Sequence, residues 1–277
     1  MNSLKLGFSP CPNDTFIFDA ILHQRFDFPY HLESQLLDVE QLNRKALSAE
    51  LEISKLSFSA FASVSKNYQI LSSGAALGQN CGPLVVANSA IDLKNAENLK
   101  VAIPGKYTTA NLLLSIFYPE LTNKTEVLFS DIEEEVIQGN FDLGCIIHES
   151  RFTYEQKGLV KLADLGENWE ERFSMPIPLG CIAIRRDLPE ELKILVQKGI
   201  ADSVRWAFAH PQDSRDYIQK HAQELSAEVQ QKHIDLYVNQ FSIDLGNEGR
   251  KAIELLLNYG HQLNLLPEVM EPIFIND

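Results

Sequence analysis

No run of 18 apolar residues occurs anywhere in the 277-residue sequence, so no membrane-spanning helix is predicted. The start also lacks the apolar core of a secretory leader, since Asn13, Asp14 and Asp19 interrupt the apolar residues after Lys5. Cysteine is scarce. Cys11, Cys81, Cys145 and Cys181 are widely spaced with no CxxC pair, which argues against a disulfide scaffold, a zinc ribbon or a thioredoxin-type motif and predicts reduced thiols in a cytoplasmic protein. Positive charge is in deficit, with 24 basic against 38 acidic residues and a net charge of −14. Such a surface repels phosphate backbones and anionic lipid, so neither a nucleic acid nor a membrane is expected as a partner. A small anionic ligand stays open, because clustered backbone N–H groups bind a carboxylate even inside a negative protein. There is no GxGxxG, no GxxxxGK[ST] and no GxSxG; His148-Glu149 does not extend to HExxH, because Phe152 stands where the second histidine belongs. Neither a cofactor nor a metal is therefore expected.

What is present reads as an α/β protein. Hydrophobic residues make up 45% and charged residues 22%, which excludes a disordered chain, and the length suits two domains. Short apolar runs alternate with segments of helical period, the pattern of mostly parallel strands joined by helices. Strands are predicted at Leu4 to Phe8, Leu51 to Ser57, Pro83 to Ala87, Lys100 to Ile103, Glu126 to Phe129, Phe141 to Ile147 and Leu179 to Ile184. Helices are predicted from Asn13 or Asp14 through Leu22, from Glu40 to Ala49, Ser59 to about Ser65, Thr109 to Phe117 and Asp131 to Gln138. Beyond residue 184 the chain reads as almost wholly helical, with Leu192, Leu195, Val196, Ile200, Val204 and Phe208 on one stripe. The two extended segments near 84–88 and 179–184 bracket a compact block. This predicts a discontinuous first domain, 1–87 with 180–277, and an inserted second domain, 88–179.

Ligands of parallel α/β sheets gather at the carboxyl ends of strands, which directs attention to four segments. In Ser9 to Asp14, Pro10 and Pro12 stiffen a loop that carries Asn13 and Asp14; Cys11 has no partner base in the sequence to make it a nucleophile. Lys55 and Ser57 flank Leu56 at a strand end and share a face, placing an ammonium and a hydroxyl where substrate oxygens would lie; a surface lysine and a capping serine fit the same pattern. Gly105 allows a tight turn before Thr108 and Thr109 at a helix start, which suits an oxyanion and equally suits simple capping. His148 ends an apolar strand, where a neutral imidazole with an ordinary pKa of about 6.5 can accept a proton. Glu149 and Tyr154 are near enough in sequence to orient it.

Phe8-Ser9-Pro10-Cys11-Pro12-Asn13-Asp14-Thr15-Phe16, Ser54-Lys55-Leu56-Ser57-Phe58, Pro104-Gly105 with Thr108-Thr109, and Ile146-Ile147-His148-Glu149 together resemble the 1,4-dihydroxy-6-naphthoate synthase family of the futalosine route to menaquinone. The first of these is the most specific, and the resemblance spans nearly the whole chain. It implies a two-lobed type II periplasmic-binding-protein-like fold with a ligand cleft between the lobes. It also implies a cytoplasmic, cofactor-independent lyase that converts cyclic dehypoxanthinylfutalosine, a small anionic substrate, into 1,4-dihydroxy-6-naphthoate and dihydroxyacetone. By matching position, His148 becomes the proton acceptor, and Lys55, Leu56, Ser57, Thr108 and Thr109 become substrate-binding positions; Pro10, Asn13 and Asp14 of the proline loop are expected beside them. Two other readings are a chorismate dehydratase of the same pathway, which the Ser9 to Phe16 segment disfavours, and a non-catalytic solute-binding protein.

Overall fold

A computed structural model of the chain describes residues 3–93, 96–222 and 226–275. The first lobe is built on a six-stranded sheet in the order β2-β1-β3-β11-β4, with β5 also paired to β11. Its strands are β1 (Ser3–Phe8), β2 (His31–Leu36), β3 (Ile53–Ser57), β4 (Tyr68–Ile70), β5 (Ala76–Gly78) and β11 (Ile177–Arg185). The second lobe has a five-stranded sheet in the order β10-β6-β9-β7-β8, formed by β6 (Leu84–Ala87), β7 (Val101–Ile103), β8 (Lys124–Glu126), β9 (Leu143–Ile146) and β10 (Val160–Asp164).

The expectation of mostly parallel strands holds only for one side of each sheet, out to the edge strands β2 and β8. β1 runs parallel to β2 and β3, and β7 parallel to β8 and β9. The five other pairings, made by β6, β10 and β11, are antiparallel. The reason lies in the crossings, because β6 and β11 bring the chain into each sheet from the opposite lobe and so enter against the direction of the β-α-β units. The crossing also falls earlier than residue 87. β6, expected to close the first lobe, pairs with β9 and β10 and so belongs to the second sheet. The return lies before Ile177, where β11 begins.

The β6–β10 ladder extends one residue beyond the Leu84–Asp164 pair, at the entry to β6. Leu165 N donates to Pro83 O at 2.9 Å, and a Cβ on Gly82 would stand 2.1 Å from the Gly166 nitrogen. Only glycine admits that approach.

Helices cover the sheets where their apolar faces require it. α1 (Pro12–Leu22) starts with proline in its first turn, where no N–H is needed. Its Phe16, Ile17, Phe18 and Ile21 pack with Leu6 and Phe8 of β1 and with Val196, Ile200 and Val204 of α7 (Glu190–Ala209). The predicted stripe on α7 is thus a core face, except that Phe208 is left 45% exposed. A second apolar cluster runs without a break from Leu56, Phe61 and Cys181 of the first lobe to Val85, Val101, Leu113 and Leu143 of the second. Burial across the junction brings the carboxyl ends of β1 and β3 opposite those of β7 and β9, and the cleft lies there. Among the described residues no helix is long and apolar enough to cross a membrane, and all four cysteines are free and buried.

Candidate active site

The first wall of the cleft is the turn from β1 into α1. Asp14 is 1% exposed and its carboxylate is fully engaged: Ser9 N donates at 3.1 Å and Ser9 Oγ at 2.7 Å to Oδ2, while Asn13 Nδ2 donates at 2.9 Å and Lys55 Nζ at 2.9 Å to Oδ1. A buried carboxylate persists as an anion only with such partners. Lys55 arrives from β3, and Gly180 of β11 leaves room for its stem, since a Cβ there would lie 3.3 Å from Lys55 Cε. The lysine therefore lines the cleft as one half of a buried ion pair, not as the lone ammonium that the strand pattern suggested. Ser57 closes the same strand and is held by Asn43 of α2 (Val39–Leu47): Ser57 N donates to Asn43 Oδ1 at 3.0 Å, and Asn43 Nδ2 donates to Ser57 Oγ at 3.2 Å.

The facing wall is the start of α4 (Thr109–Phe117). Thr108 is its N-cap, with Oγ1 accepting from Asn111 N at 3.2 Å and donating to Gly105 O at 2.8 Å. Thr109 Oγ1 donates to Leu179 O at 2.7 Å and accepts from Ser59 N at 3.4 Å. Both threonines cap or brace as the simpler reading has it, and both also line the cleft beside Ala110, where the first N–H groups of the helix have no intrahelical acceptor. Glu40 of α2 crosses from the other lobe to accept from Tyr107 N at 3.1 Å. A Cβ on Gly105 would come within 2.5 Å of that carboxylate. Burial pushes the Glu40 carboxyl up to about 7, against the pull of hydrogen bonds from Asn43 and Tyr107. Arg44 spans the same seam to Glu126 at 2.7 Å.

His148 follows β9 and opens a short 3₁₀ turn, His148–Phe152. Its φ of +57° is left-handed, a conformation that costs a non-glycine residue about 1–3 kcal/mol and collects at functional sites. The ring stands edge-on to Phe129 at 4.9 Å and lines the cleft. Nε2 is buried and has no hydrogen-bond partner among the described residues. Burial pushes the imidazole pKa down to about 4; Asp14 opposes this and Lys55 adds to it. The ring is accordingly neutral across the physiological range, which a proton acceptor requires.

A second histidine escaped the sequence reading. His233 lies on α9 (Ala227–Tyr237), is fully buried, and lines the same cleft with Tyr237. Its ring lies 6.1 Å from that of His148 at an interplanar angle of 18°, and Nε2 sits 2.9 Å from Asn13 Oδ1. Burial, then His148 and Lys55, hold its pKa well below the ordinary value. With Asn13 accepting from His233 and donating to Asp14, one polar chain runs His233–Asn13–Asp14–Lys55 along the first wall.

Of the expected site residues, Asn13, Asp14, Lys55, Leu56, Ser57, Thr108, Thr109 and His148 all line one cavity. Pro10 does not; it is half-buried in the turn and shapes the loop from behind. Tyr154 does not orient His148, because its hydroxyl is spent on Glu155 at 3.0 Å. Glu149 is buried and its Oε2 lies 4.0 Å from His233 Nδ1. Cys11 is buried, and desolvation, with Glu149 next, pushes its thiol well above the ordinary range, so it is not a thiolate nucleophile. The fold nevertheless assembles a donor set that no spacing in the sequence announces. The sulfur of Cys11, a ring nitrogen of His148 and a carboxylate oxygen of Glu149 lie within 4.8 Å of one another.

The chain matches the profile of a family described as menaquinone biosynthesis over residues 4–262. It is 48% identical to a 1,4-dihydroxy-6-naphthoate synthase of Thermus thermophilus, over 99% of this chain and 100% of that one. Among solved structures, a protein of Archaeoglobus fulgidus superposes with a TM-score of 0.91 at 33% identity, covering 95% of this chain and 98% of the other. The alkanesulfonate-binding protein of Xanthomonas axonopodis, bound to MOPS, superposes at 0.71 with 13% identity, covering 97% and 95%, which supports the periplasmic-binding-protein-like fold alone. The profile match and the full-length identity together place the chain in the menaquinone biosynthesis family.

Proposed function

We propose that the protein is a carbon–carbon lyase that converts cyclic dehypoxanthinylfutalosine into 1,4-dihydroxy-6-naphthoate and dihydroxyacetone, with His148 as general base. The observation that carries this reading is a neutral imidazole, held in a strained backbone conformation at the cleft, on the same lobe as a helix N-terminus and opposite Asp14 and Ser57 of the other lobe. His148 removes a proton from the substrate, electrons shift to break a carbon–carbon bond with the pair leaving on the three-carbon fragment, that fragment takes a proton and departs as dihydroxyacetone, and the ring left behind becomes aromatic, which makes the step downhill. The start of α4 binds a carboxylate or hydroxyl through its N–H groups, and Ser57 meets oxygens from the other wall. Lys55, neutralised by Asp14, sets a local dipole without placing a bare cation in the cleft. A biosynthetic role of this kind belongs in the cytoplasm, and we take the two sheets to be lobes that close on the substrate, hinged at the two crossings that lead into β6 and β11.

Purified protein incubated with the cyclic futalosine derivative should release the naphthoate, seen by mass analysis, while chorismate should be returned unchanged. Consumption of chorismate alone would assign the dehydratase reaction instead, and binding of either compound without turnover would favour a solute-binding role.

Thr109→Val keeps the β-branched shape and deletes the hydroxyl. The hydroxyl has one proton, held by Leu179 O in the free protein; with the hydroxyl turning to the substrate on binding, a hydrogen bond to a charged group is worth about 1.5–3 kcal/mol, so KM should rise by about 10–100-fold with a smaller change in kcat. Thr108→Val should lower Tm as well, since losing an N-cap costs about 1 kcal/mol. Unchanged KM in both variants would reduce the threonines to caps and braces.

A further inference from the structure

The Cys11, His148 and Glu149 donors converge from two places in the fold. Cys11 is the N-cap residue of α1, in an extended conformation, and His148-Glu149 open the 3₁₀ turn after β9. Cys11 and Glu149 are buried and do not line the cleft, whereas His148 does, so the set joins the cleft through the imidazole. A thiol sulfur, an imidazole nitrogen and a carboxylate oxygen are the ligands of a borderline-soft divalent ion, whereas magnesium and calcium take six or more oxygens.

We infer that these three residues form an inhibitory binding site for a divalent cation of the zinc type. Bond lengths of about 2.3 Å to sulfur and about 2.1 Å to nitrogen and oxygen put tetrahedral donors about 3.5 Å apart. The observed spread, no more than 4.8 Å, closes to that by side-chain rotation of about 1 Å. Charge favours the site too. One thiolate and one carboxylate offset a divalent ion, so a neutral unit is buried, which removes the main penalty on a buried charge.

Binding forms one metal–sulfur, one metal–nitrogen and one metal–oxygen bond. The thiol proton is released to water, nothing is oxidised or reduced, and a water fills the fourth position. The imidazole lone pair is then held by the metal and, with the ring fixed, the base is disabled. Inhibition thus rests on the proposed role of His148; binding does not.

The test uses the full chain, stripped of metal by chelating resin and titrated with Co²⁺ as the spectroscopic probe. One equivalent should produce a thiolate-to-cobalt charge-transfer band that Cys11→Ser abolishes and that Glu149→Gln weakens, with affinity down by about 10–100-fold. Zn²⁺ should displace the band and suppress turnover of the cyclic futalosine derivative at least about 10-fold, and EDTA should restore it. Cys11→Ser should need about 100-fold more Zn²⁺ for the same fractional loss, each protein being compared with its own metal-free rate. No charge-transfer band, or an equal band in Cys11→Ser, would overturn the site. A Cys11-dependent band with full turnover would overturn the inhibition. In that last case, kinetics of His148→Asn separate the causes: a crippled variant means that the metal fails to block the base, and an active one means that His148 is not the base.

Discussion

His148→Asn is expected to lower kcat by about 10²–10⁴-fold, the usual contribution of a positioned general base, while KM changes little. Asparagine keeps polarity and hydrogen-bonding capacity at the cleft but cannot accept a proton at neutral pH. Its tolerance of a left-handed φ also suits the backbone of +57° at this position, so the variant should fold. The pH profile gives a second reading. The sequence alone suggests an acid limb near the ordinary imidazole value, but burial moves His148 to about 4. The rate constant kcat/KM should therefore stay level through pH 6 and fall only as pH approaches about 4. Stability moves over a wider window. Between about 6.5 and 4 the unfolded chain binds a proton that the native ring refuses, so stability is lost as pH falls through that range. His148→Asn should flatten that slope, leaving the share contributed by His233, whose pKa is also depressed. Turnover within a few-fold of wild type, measured with saturating substrate, would falsify the assignment.

The parts of the site that were legible in the sequence are those carried by strong local signals. β1 and β3 are short segments of alternating or partly apolar residues that lead into proline or hydroxyl residues, and α4 starts at a threonine cap and ends before Pro119, so the sequence puts Asn13, Asp14, Lys55, Ser57, Thr108 and Thr109 at strand or helix ends. The elements left unread have weak signals for physical reasons. β2 reads HLESQL and buries only Leu32 fully, as an edge strand does. β4 and β5 span three residues each, too short for a period to register. The strand expected at Glu126 to Phe129 is instead Lys124–Glu126, because pairing with β7 sets its register and Val127 packs into the core after the strand ends. His233 was invisible for a different reason. It sits in the polar helix α9, and its importance comes from contacts with Asn13 and His148 that only the three-dimensional return of the C-terminal region creates. The Cys11–His148–Glu149 donor set was hidden in the same way.

The Asp14–Lys55 pair should be the most costly element of the site to break singly. Asp14 is 1% exposed and Lys55 6%, and among the described residues Asp14→Leu would leave the ammonium with Gly74 O, at 3.5 Å, as its one acceptor. Removing one partner of a buried pair costs about 3–5 kcal/mol. For a chain of this size that corresponds to a drop in Tm on the order of 10 °C. Lys55→Met should cost less, since the Asp14 carboxylate keeps hydrogen bonds from Ser9 N, Ser9 Oγ and Asn13 Nδ2. The double variant Asp14→Leu with Lys55→Met has no stranded charge, and replacing a buried pair by apolar groups is often neutral in stability. It should therefore melt above Asp14→Leu alone, so that adding a second mutation restores stability. Function should not recover with it. Asn13 loses the acceptor that turns its amide toward Asp14, and with it the orientation that His233 shares, so the double variant should be folded and nearly inactive. Thermal melts of the three variants check the first claim: if the double variant melts at the sum of the two single losses, the side chains are not coupled and the ion pair contributes nothing of its own. Activity at saturating substrate checks the second, since turnover near that of wild type in the double variant would make the pair a structural brace behind the cleft.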